Sequence, residues 1–394
     1  MLRFLTAGES HGPSLSVIVE GLPAGLAIGV EEIADELARR RLGYGRGPRM
    51  RFERDELRLI GGVRHGRTLG SPVAVEILNS EWPKWEEEMS AAPGTPNQKQ
   101  TKPRPGHADL AGMQKYAFDD ARDVLERASA RETAARVGAG ALARSLLTQF
   151  NIEVFGFVRS VGPSVGQFQV TPDNWRQLRT ARDESDVYCP DPTAGNQMRA
   201  FINDQKVAKD TAGGIVEAHV FGCPVGIGSC MTWDGRLDSR IAAAVVAIQA
   251  FKGVEFGLGF EATRRPGSQV HDEIDFDVAA QDRPTLGFVR GSNNAGGLEG
   301  GMTNGQSVVV RGAMKPISTL GKPLRSIDLN TKQPSEAGWE RSDISAISAA
   351  SVIMENVIAF EIARAFLEKF GGDSLTEVRA NYDNFLATAR RLPI

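Results

Sequence analysis

Short runs rich in β-branched residues recur at 14–19, 57–61, 73–77, 153–158, 214–220 and 307–312, each bounded by glycine or proline, and the helical patterns between them keep no regular strand–helix–strand rhythm. That irregularity constrains the fold more than any other feature. A doubly wound fold needs strands and helices in alternation, whereas this order favours layered α and β with largely antiparallel sheets. Helical spacing places Ile33 and Leu37 on one face of 31–41, which Leu42-Gly43 ends. A helix over 129–150 opens with Ser129 and Glu132 in capping-box spacing and carries small and apolar residues on nearly every side, so it is expected to be buried. Positions 238–251 read as an Ala/Val-rich core helix, and 343–370 as a long helix that Asp343 caps and Gly371-Gly372 ends.

At 394 residues the chain has length for two or three domains, yet the pattern shows no clear break, so one domain over 1–394 is expected. Its 46 basic and 49 acidic side chains leave a net charge of −3, without the broad basic footprint of a nucleic-acid binder. Cys189, Cys223 and Cys230 cannot all pair, and a chain this long buries a core without disulfides, which suits a reducing cytoplasm. His219, Cys223 and Cys230 offer metal-ligating atoms, but their spacing fits no standard zinc site; small buried cysteines and no metal are expected. The N-terminus reaches Glu9 and His11 too soon for a secretory apolar core. The longest apolar run, 241–248, is far short of the ~20 residues that cross a bilayer, so a soluble protein is expected.

Of five histidines, two sit in glycine-bracketed motifs, Gly8-Glu9-Ser10-His11-Gly12 and Arg104-Pro105-Gly106-His107-Ala108-Asp109. Such loops let a ligand approach closely and suit acid/base work. Arg39, Arg40, Arg41, Arg46, Arg49 and Arg51 crowd a helix end and the loop 43–47. They form either a solvated terminus near the C-terminal dipole or an anion site where guanidiniums converge on phosphate or carboxylate. Ser129 either caps a helix or meets an anion at its N-terminus. The stretch 291–301 is too glycine-dense for regular structure and lacks the context of a dinucleotide fold or a P-loop. Arg64-His65-Gly66-Arg67-Thr68 matches the phosphohistidine motif of histidine phosphatases, but it does not follow a first strand at the chain start, so a surface turn between two strands is the better reading. The polar segment 91–102 is either a mobile cover for a site or surface decoration.

In series, the two histidine motifs, Arg127-Ala128-Ser129-Ala130-Arg131-Glu132-Thr133, Lys315-Pro316-Ile317-Ser318-Thr319 and Arg341-Ser342-Asp343 resemble the chorismate synthase family, from Leu2 to about Leu367. The resemblance implies an α+β, single-domain β-α-β sandwich, with two mainly antiparallel sheets packed inside, helices on the outer faces, and assembly as a homotetramer. It implies a carbon–oxygen lyase that removes phosphate from 5-enolpyruvylshikimate 3-phosphate by anti-1,4-elimination, giving chorismate, and that requires reduced FMN without net redox change. Matching positions would bind substrate through Arg40, Arg46, Arg49, Arg104, Arg131 and Arg341. Flavin would contact Arg127, Ala128, Ser129, Gln249, Ala250, Gly300, Lys315, Pro316, Ile317, Ser318, Thr319 and Arg341. His11 would protonate the leaving phosphate and His107 the N1 side of the flavin, with Ser10 and Ser129 relaying protons and Asp343 acting as base near flavin N5. Asp343 is followed here by Ile344-Ser345, where many relatives carry proline, valine or threonine, a departure that touches packing more than charge. No reductase segment is evident, so an external reductase or reductant is expected, with NADPH acting only indirectly. A histidine phosphatase built on His65, or a non-catalytic anion or RNA binder built on the arginines, would leave the remaining motifs unused.

Overall fold

The structure is a computed structural model that describes residues 1–47, 56–340 and 342–392. Arg49, Arg51 and Arg341, all expected near an anion site, lie outside the described residues. Strands β1 (Arg3–Ala7), β2 (Ser14–Glu20), β3 (Leu57–Gly61) and β4 (Val73–Leu78) form one antiparallel sheet in the order β1-β2-β4-β3. A second antiparallel sheet takes β5 (Glu153–Val161), β6 (Ser164–Val165), β7 (Gly214–Phe221), β8 (Phe251–Phe256) and β9 (Val308–Met314) in the order β8-β9-β7-β5-β6. The principal helices are α1 (Val30–Arg41), α2 (Asp109–Tyr116), α3 (Arg122–Ala128), α4 (Thr133–Thr148), α5 (Trp175–Asp183), α6 (Pro192–Val207), α7 (Leu237–Val246), α8 (Ile347–Phe370) and α9 (Leu375–Ala389).

Alternation decides what the first sheet can bury. Leu15, Val17 and Val19 of β2 and Val73, Val75 and Ile77 of β4 point inward, while Leu5 and Ile18 stay exposed on the other side. The inward face rests on α4, α4 packs along α8, and the second sheet lies against α8 through β5 and β7. The layers therefore run sheet, helices, sheet. Antiparallel sheets are found as expected, but in the centre the expected placement is reversed, with α4 and α8 between the sheets where the sheets were to meet. The reason is α8: it is buried on nearly every side, and a helix apolar all round has no face to offer water. Gly140 makes the close contact of the central layer possible, since a Cβ there would fall 2.4 Å from Asn356 Cβ. On the far face of the second sheet α5 supplies a cover, with Trp175 packed among Phe155, Phe157 and Phe221.

Several boundaries move from their expected positions. The helix expected over 129–150 is broken: α3 ends at Ser129, a 3₁₀ turn spans Ala130–Glu132, and α4 begins at Thr133. No capping box forms, because Ser129 Oγ accepts from the Arg131 N–H while Glu132 binds Thr6 Oγ1 at 2.7 Å and Arg136 Nε at 2.8 Å. The expected helix 238–251 ends at Val246, and Phe251 already belongs to β8. Helix α8 begins at Ile347, so Asp343 caps nothing and is available to other partners. His65 (φ 49°) and Gly66 (φ 70°) make the exposed turn between the two-residue strands Val63–Arg64 and Arg67–Thr68, the surface turn read from the sequence.

Among the described residues the cysteines are unpaired, no cluster of His, Cys, Asp and Glu is arranged around a metal, and no helix is long and apolar enough to cross a membrane. Burial pushes the Cys223 thiol up to about 12, as for a packing residue rather than a nucleophile.

Candidate active site

The loop between β1 and β2 folds back onto α3 and sets His11 against Glu126. The His11 N–H donates to Glu126 Oε2 at 2.8 Å, His11 Nδ1 lies 2.9 Å from Oε1, and the Ser10 N–H donates to the Glu126 carbonyl at 3.1 Å. Arg122, one helical turn earlier on α3, donates from Nη1 to Glu126 Oε1 at 2.8 Å. Burial alone would push the Glu126 carboxyl up, yet the His11 hydrogen bonds and the nearby positive charge hold it below the usual range. The His11 ring lies 3.9 Å from the Trp85 ring at 31°, and the Arg122 guanidinium sits 5.0 Å from Trp85. Ser129 Oγ donates to Ser10 Oγ at 3.1 Å, so the two serines expected to relay protons are in contact beside His11.

Arg122 Nη2 also donates to Glu340 Oε1 at 3.1 Å, which brings the segment before α8 to the same place. In that segment Asp343 Oδ1 accepts the Gly47 N–H at 2.6 Å and Oδ2 pairs with Arg46 Nη1 at 2.7 Å. The Ile344 N–H donates to Gly45 O at 2.8 Å, docking the glycine-rich loop onto this segment. The arginines read together from the sequence divide here. Arg40 is buried and donates to Thr133 Oγ1 at 3.0 Å and Ala130 O at 3.1 Å, at the start of α4, and Arg131 Nη2 reaches Leu78 O at 3.5 Å. Arg39 turns into the core instead, pairing with Glu36 and Glu355 at 2.7 Å each. Glu355 is fully buried and also meets Arg144 at 2.8 Å and Arg182 at 3.4 Å.

The second histidine has its own carboxylate. His107 Nδ1 lies 2.5 Å from Asp109 Oδ1, while Arg104 donates from Nε to Asp109 Oδ2 at 2.8 Å and from Nη2 to Oδ1 at 3.0 Å. Arg104 Nη2 is also 3.0 Å from His107 Nδ1, but the ionised Asp109 carboxylate can only accept and lies closer, so Nδ1 carries the proton that Asp109 accepts, and Arg104 Nη2 donates to Asp109 instead. Asp109 is held well below the carboxylate range: its burial is outweighed by the hydrogen bonds from His107 and Arg104. Arg104 Nη1 reaches Thr319 Oγ1 at 3.1 Å, joining this loop to the segment 315–319. Gly106 (φ 77°) faces the same segment, and a Cβ there would sit 3.6 Å from Lys315 Nζ. Burial, with the charge of Lys252, pulls the Lys315 ammonium below its usual value.

A sequence profile described as chorismate synthase matches residues 2–367. Over 99% of this chain and 100% of its own length, the chorismate synthase of Geobacter sulfurreducens is 54% identical; that of Enterococcus faecalis is 51% identical over 96% of this chain and 97% of its own. A crystal structure of chorismate synthase superposes with a TM-score of 0.79 at 39% identity, covering 99% of this chain and 98% of that one. The chain belongs to the chorismate synthase family. It is accordingly a lyase of the shikimate pathway, and the reaction of its family is the elimination that turns 5-enolpyruvylshikimate 3-phosphate into chorismate, the last common step to aromatic compounds.

Of the positions expected from the chorismate synthase resemblance to meet flavin, most gather in two neighbouring places. The Lys315 N–H donates to Ala250 O at 2.9 Å, linking Ala250 to the 315–319 segment. Gln249 and Arg127 line a cleft of about 350 Å³ with Thr6, Glu132 and Arg136, and Gln249 Oε1 is buried there without a hydrogen-bond partner among the described residues. Ala128 and Ser129 end α3 between that cleft and His11. Gly300 is different: with Gly301 it forms the turn between Leu298–Glu299 and Met302–Thr303, where a Cβ would meet Cys230 and Met302. Sequence reasoning missed Glu126 and Trp85. Glu126 carries a signal, its i,i+4 spacing from Arg122 just before the Arg127 segment. Trp85, in a polar stretch far from any motif, carries none.

Proposed function

We propose that this chain carries out the family's elimination with reduced FMN bound near His107, Lys315 and the Arg127–Gln249 cleft, and that His11 protonates the departing phosphate. The observation that carries the reading is the backing of both motif histidines at Nδ1 by a buried carboxylate, itself gripped by an arginine: Glu126 by Arg122, Asp109 by Arg104. Such a pairing keeps Nε2 as the nitrogen that trades a proton with a ligand. The residues fit an anionic flavin. Lys315 is a partly desolvated cation beside an open glycine, and Gln249 presents a buried oxygen that lacks a donor among the described residues. Ala128, Ser129, Ala250 and Pro316 to Thr319 supply further contacts, with Arg341; Gly300, in its own turn beside Cys230, is assigned to the flavin by the family resemblance and not by its neighbours in this chain.

Reduced flavin, when bound, lends electron density to the substrate and takes it back. The chain's own residues do the rest. Arg40, Arg46, Arg104 and Arg131, with Arg49 and Arg341, neutralise the two carboxylates and the phosphate of the substrate. His11 donates a proton to the leaving phosphate, Ser10 and Ser129 pass protons between hydroxyls, His107 holds a proton at the flavin, and Asp343 is the final acceptor of the proton lost from C6. The chain is read as one domain, supported by a continuous core joining both sheets to α1, α4 and α8. The chain is further read as a cytoplasmic homotetramer; association of subunits, though not their number, is supported by the apolar Leu5, Ile18 and Ile60 left exposed on the first sheet. The flavin is reduced from outside, by a reductase that uses NADPH or by another reductant.

An anaerobic assay for chorismate with dithionite-reduced FMN tests this. His11→Ala and His107→Ala each lower turnover by about 10²–10⁴, the range of a lost general acid, and His65→Ala leaves it unchanged. Full activity in flavin-free buffer overturns the reading.

A further inference from the structure

A site that gathers arginines for a substrate with two carboxylates and a phosphate gains nothing from a nearby buried carboxylate unless that carboxylate serves a cation. Glu126 is such a carboxylate: its side chain is buried, and its negative charge lies beside the histidine read as the acid. Its oxygens are fully used. Oε2 accepts the His11 N–H, and Oε1 accepts from His11 Nδ1 and from Arg122 Nη1. Arg122 is in turn shared with Glu340 at 3.1 Å and lies 3.9 Å from Glu88, so it is held among three carboxylates. Trp85 packs against the His11 ring, with centroids 3.9 Å apart and planes at 31°.

We propose that Glu126 is the positioning residue of His11, accepting its backbone N–H and its Nδ1–H together so that Nε2 is the nitrogen presented to the leaving phosphate. The inference rests on the reading of His11 as the acid. Two hydrogen bonds to one residue, one from the backbone and one from the ring, fix both the loop and the ring's rotation. An anionic partner at Nδ1 also stabilises the imidazolium that donates from Nε2, and leaves the neutral ring in the tautomer that can be recharged there. Glutamine cannot do both at once: its single oxygen accepts either the ring Nδ1–H or the backbone N–H of His11, its N–H₂ then meets the other donor, and it brings no charge to stabilise the imidazolium.

The test is a double-mutant cycle on the full-length protein in the anaerobic assay with dithionite-reduced FMN. Glu126→Gln should lower kcat by roughly 10–10³-fold, with KM and FMN affinity changed less than about twofold, and Glu126→Asp should recover part of the loss because charge is kept. In the His11→Ala background, Glu126→Gln should cost nothing further. An equal loss in both backgrounds, or wild-type kcat in Glu126→Gln, overturns the proposal. An active His11→Ala enzyme overturns the reading of His11 and this inference with it, whereas an inactive His11→Ala beside an active Glu126→Gln overturns the inference alone. Should the Glu126 variants fail to fold, ¹⁵N-histidine spectra of the unaltered protein decide: the neutral His11 ring should be protonated at Nδ1, and protonation at Nε2 overturns the proposal.

Discussion

Asp343→Asn separates two roles that share one side chain. In the structure Asp343 accepts the Gly47 N–H through one oxygen and pairs with Arg46 through the other, with Arg46 and Asp343 side chains only 11% and 20% exposed. Asparagine keeps an oxygen for Gly47 but sets an N–H₂ against the Arg46 guanidinium, donor against donor. The lost charge-assisted bond is worth about 1.5–3 kcal/mol, since little solvent reaches the pair to screen it. That loss acts on Arg46, a substrate arginine in the proposed reading, so it is felt in KM. Loss of a base is felt at saturating substrate: turnover should fall by at least ~10² with reduced FMN, because an amide cannot take a proton at neutral pH. Arg46→Ala is the control. It breaks the same ion pair and leaves the carboxylate, so it should raise KM while kcat stays within about tenfold of the parent. The measurements are kcat and KM for anaerobic chorismate formation in both variants, with thermal melting alongside. Equal kcat in Asp343→Asn and Arg46→Ala would refute the base and reduce Asp343 to a holder of the arginine loop.

Glu355→Gln should destabilise the fold by roughly 3–5 kcal/mol in chemical denaturation, because it strands the guanidiniums of Arg39, Arg144 and Arg182 around a neutral amide in the core. Lys315→Ala should weaken FMN binding by about 1.5–3 kcal/mol in a fluorescence titration with no change in melting temperature, and unchanged affinity would remove Lys315 from the flavin site. Glu217, hydrogen-bonded to His219 and Arg159, has its carboxyl lowered from 4.5 to about 2 against the opposing effect of burial, so its stabilisation is complete above about pH 4.5 and is lost as pH falls toward 2. Glu217→Gln should therefore be less stable than the parent at pH 7, by on the order of 3 kcal/mol, with the gap closing as the pH is lowered through that window.

How much of the site is legible depends on how far apart in sequence its partners lie. Arg104, His107 and Asp109 interact within one loop, so the motif already contains the guanidinium, the ring and the carboxylate in working order. His11 and Glu126 are 115 residues apart, and nothing local announces that the loop after β1 will land on α3. Asp343 shows the opposite error, in which a local rule is obeyed and then overridden. An aspartate just before an apolar helical run has every mark of an N-cap. Here the chain withholds the helix until Ile347 because Ile344 pairs with Gly45 and Asp343 with Gly47, tertiary bonds that a cap would forgo. Arg39 fails similarly: its neighbours on α1 suggest an anion site, but its partner Glu355 lies on α8.

The reversed layers are instructive because the sequence held the signal. A strand buried on one face needs only alternate apolar positions, and β2 and β4 have that pattern, which leaves the first sheet's other face to solvent or to another subunit. Helices that cover such a sheet from outside would need polar stripes. Neither α4, with its glycines and alanines, nor α8, apolar from Ile347 to Phe370 on almost every side, has one wide enough. Each helix must therefore be enclosed on two sides, and two sheets are available to do it. That placement has a consequence for the site. Helix α8 and the start of α4 are fixed between both sheets, so the segments leading into them, 342–346 and 129–132, are anchored at their C-terminal ends by the buried core. Ser129 and Asp343 lie on those segments, Arg40 is tied to the start of α4, and Arg46 is paired with Asp343. His11 is held to α3, which runs directly into Ser129. The proposed proton-handling groups thus inherit their rigidity from a buried helical layer, as a site with reacting groups at fixed separations requires.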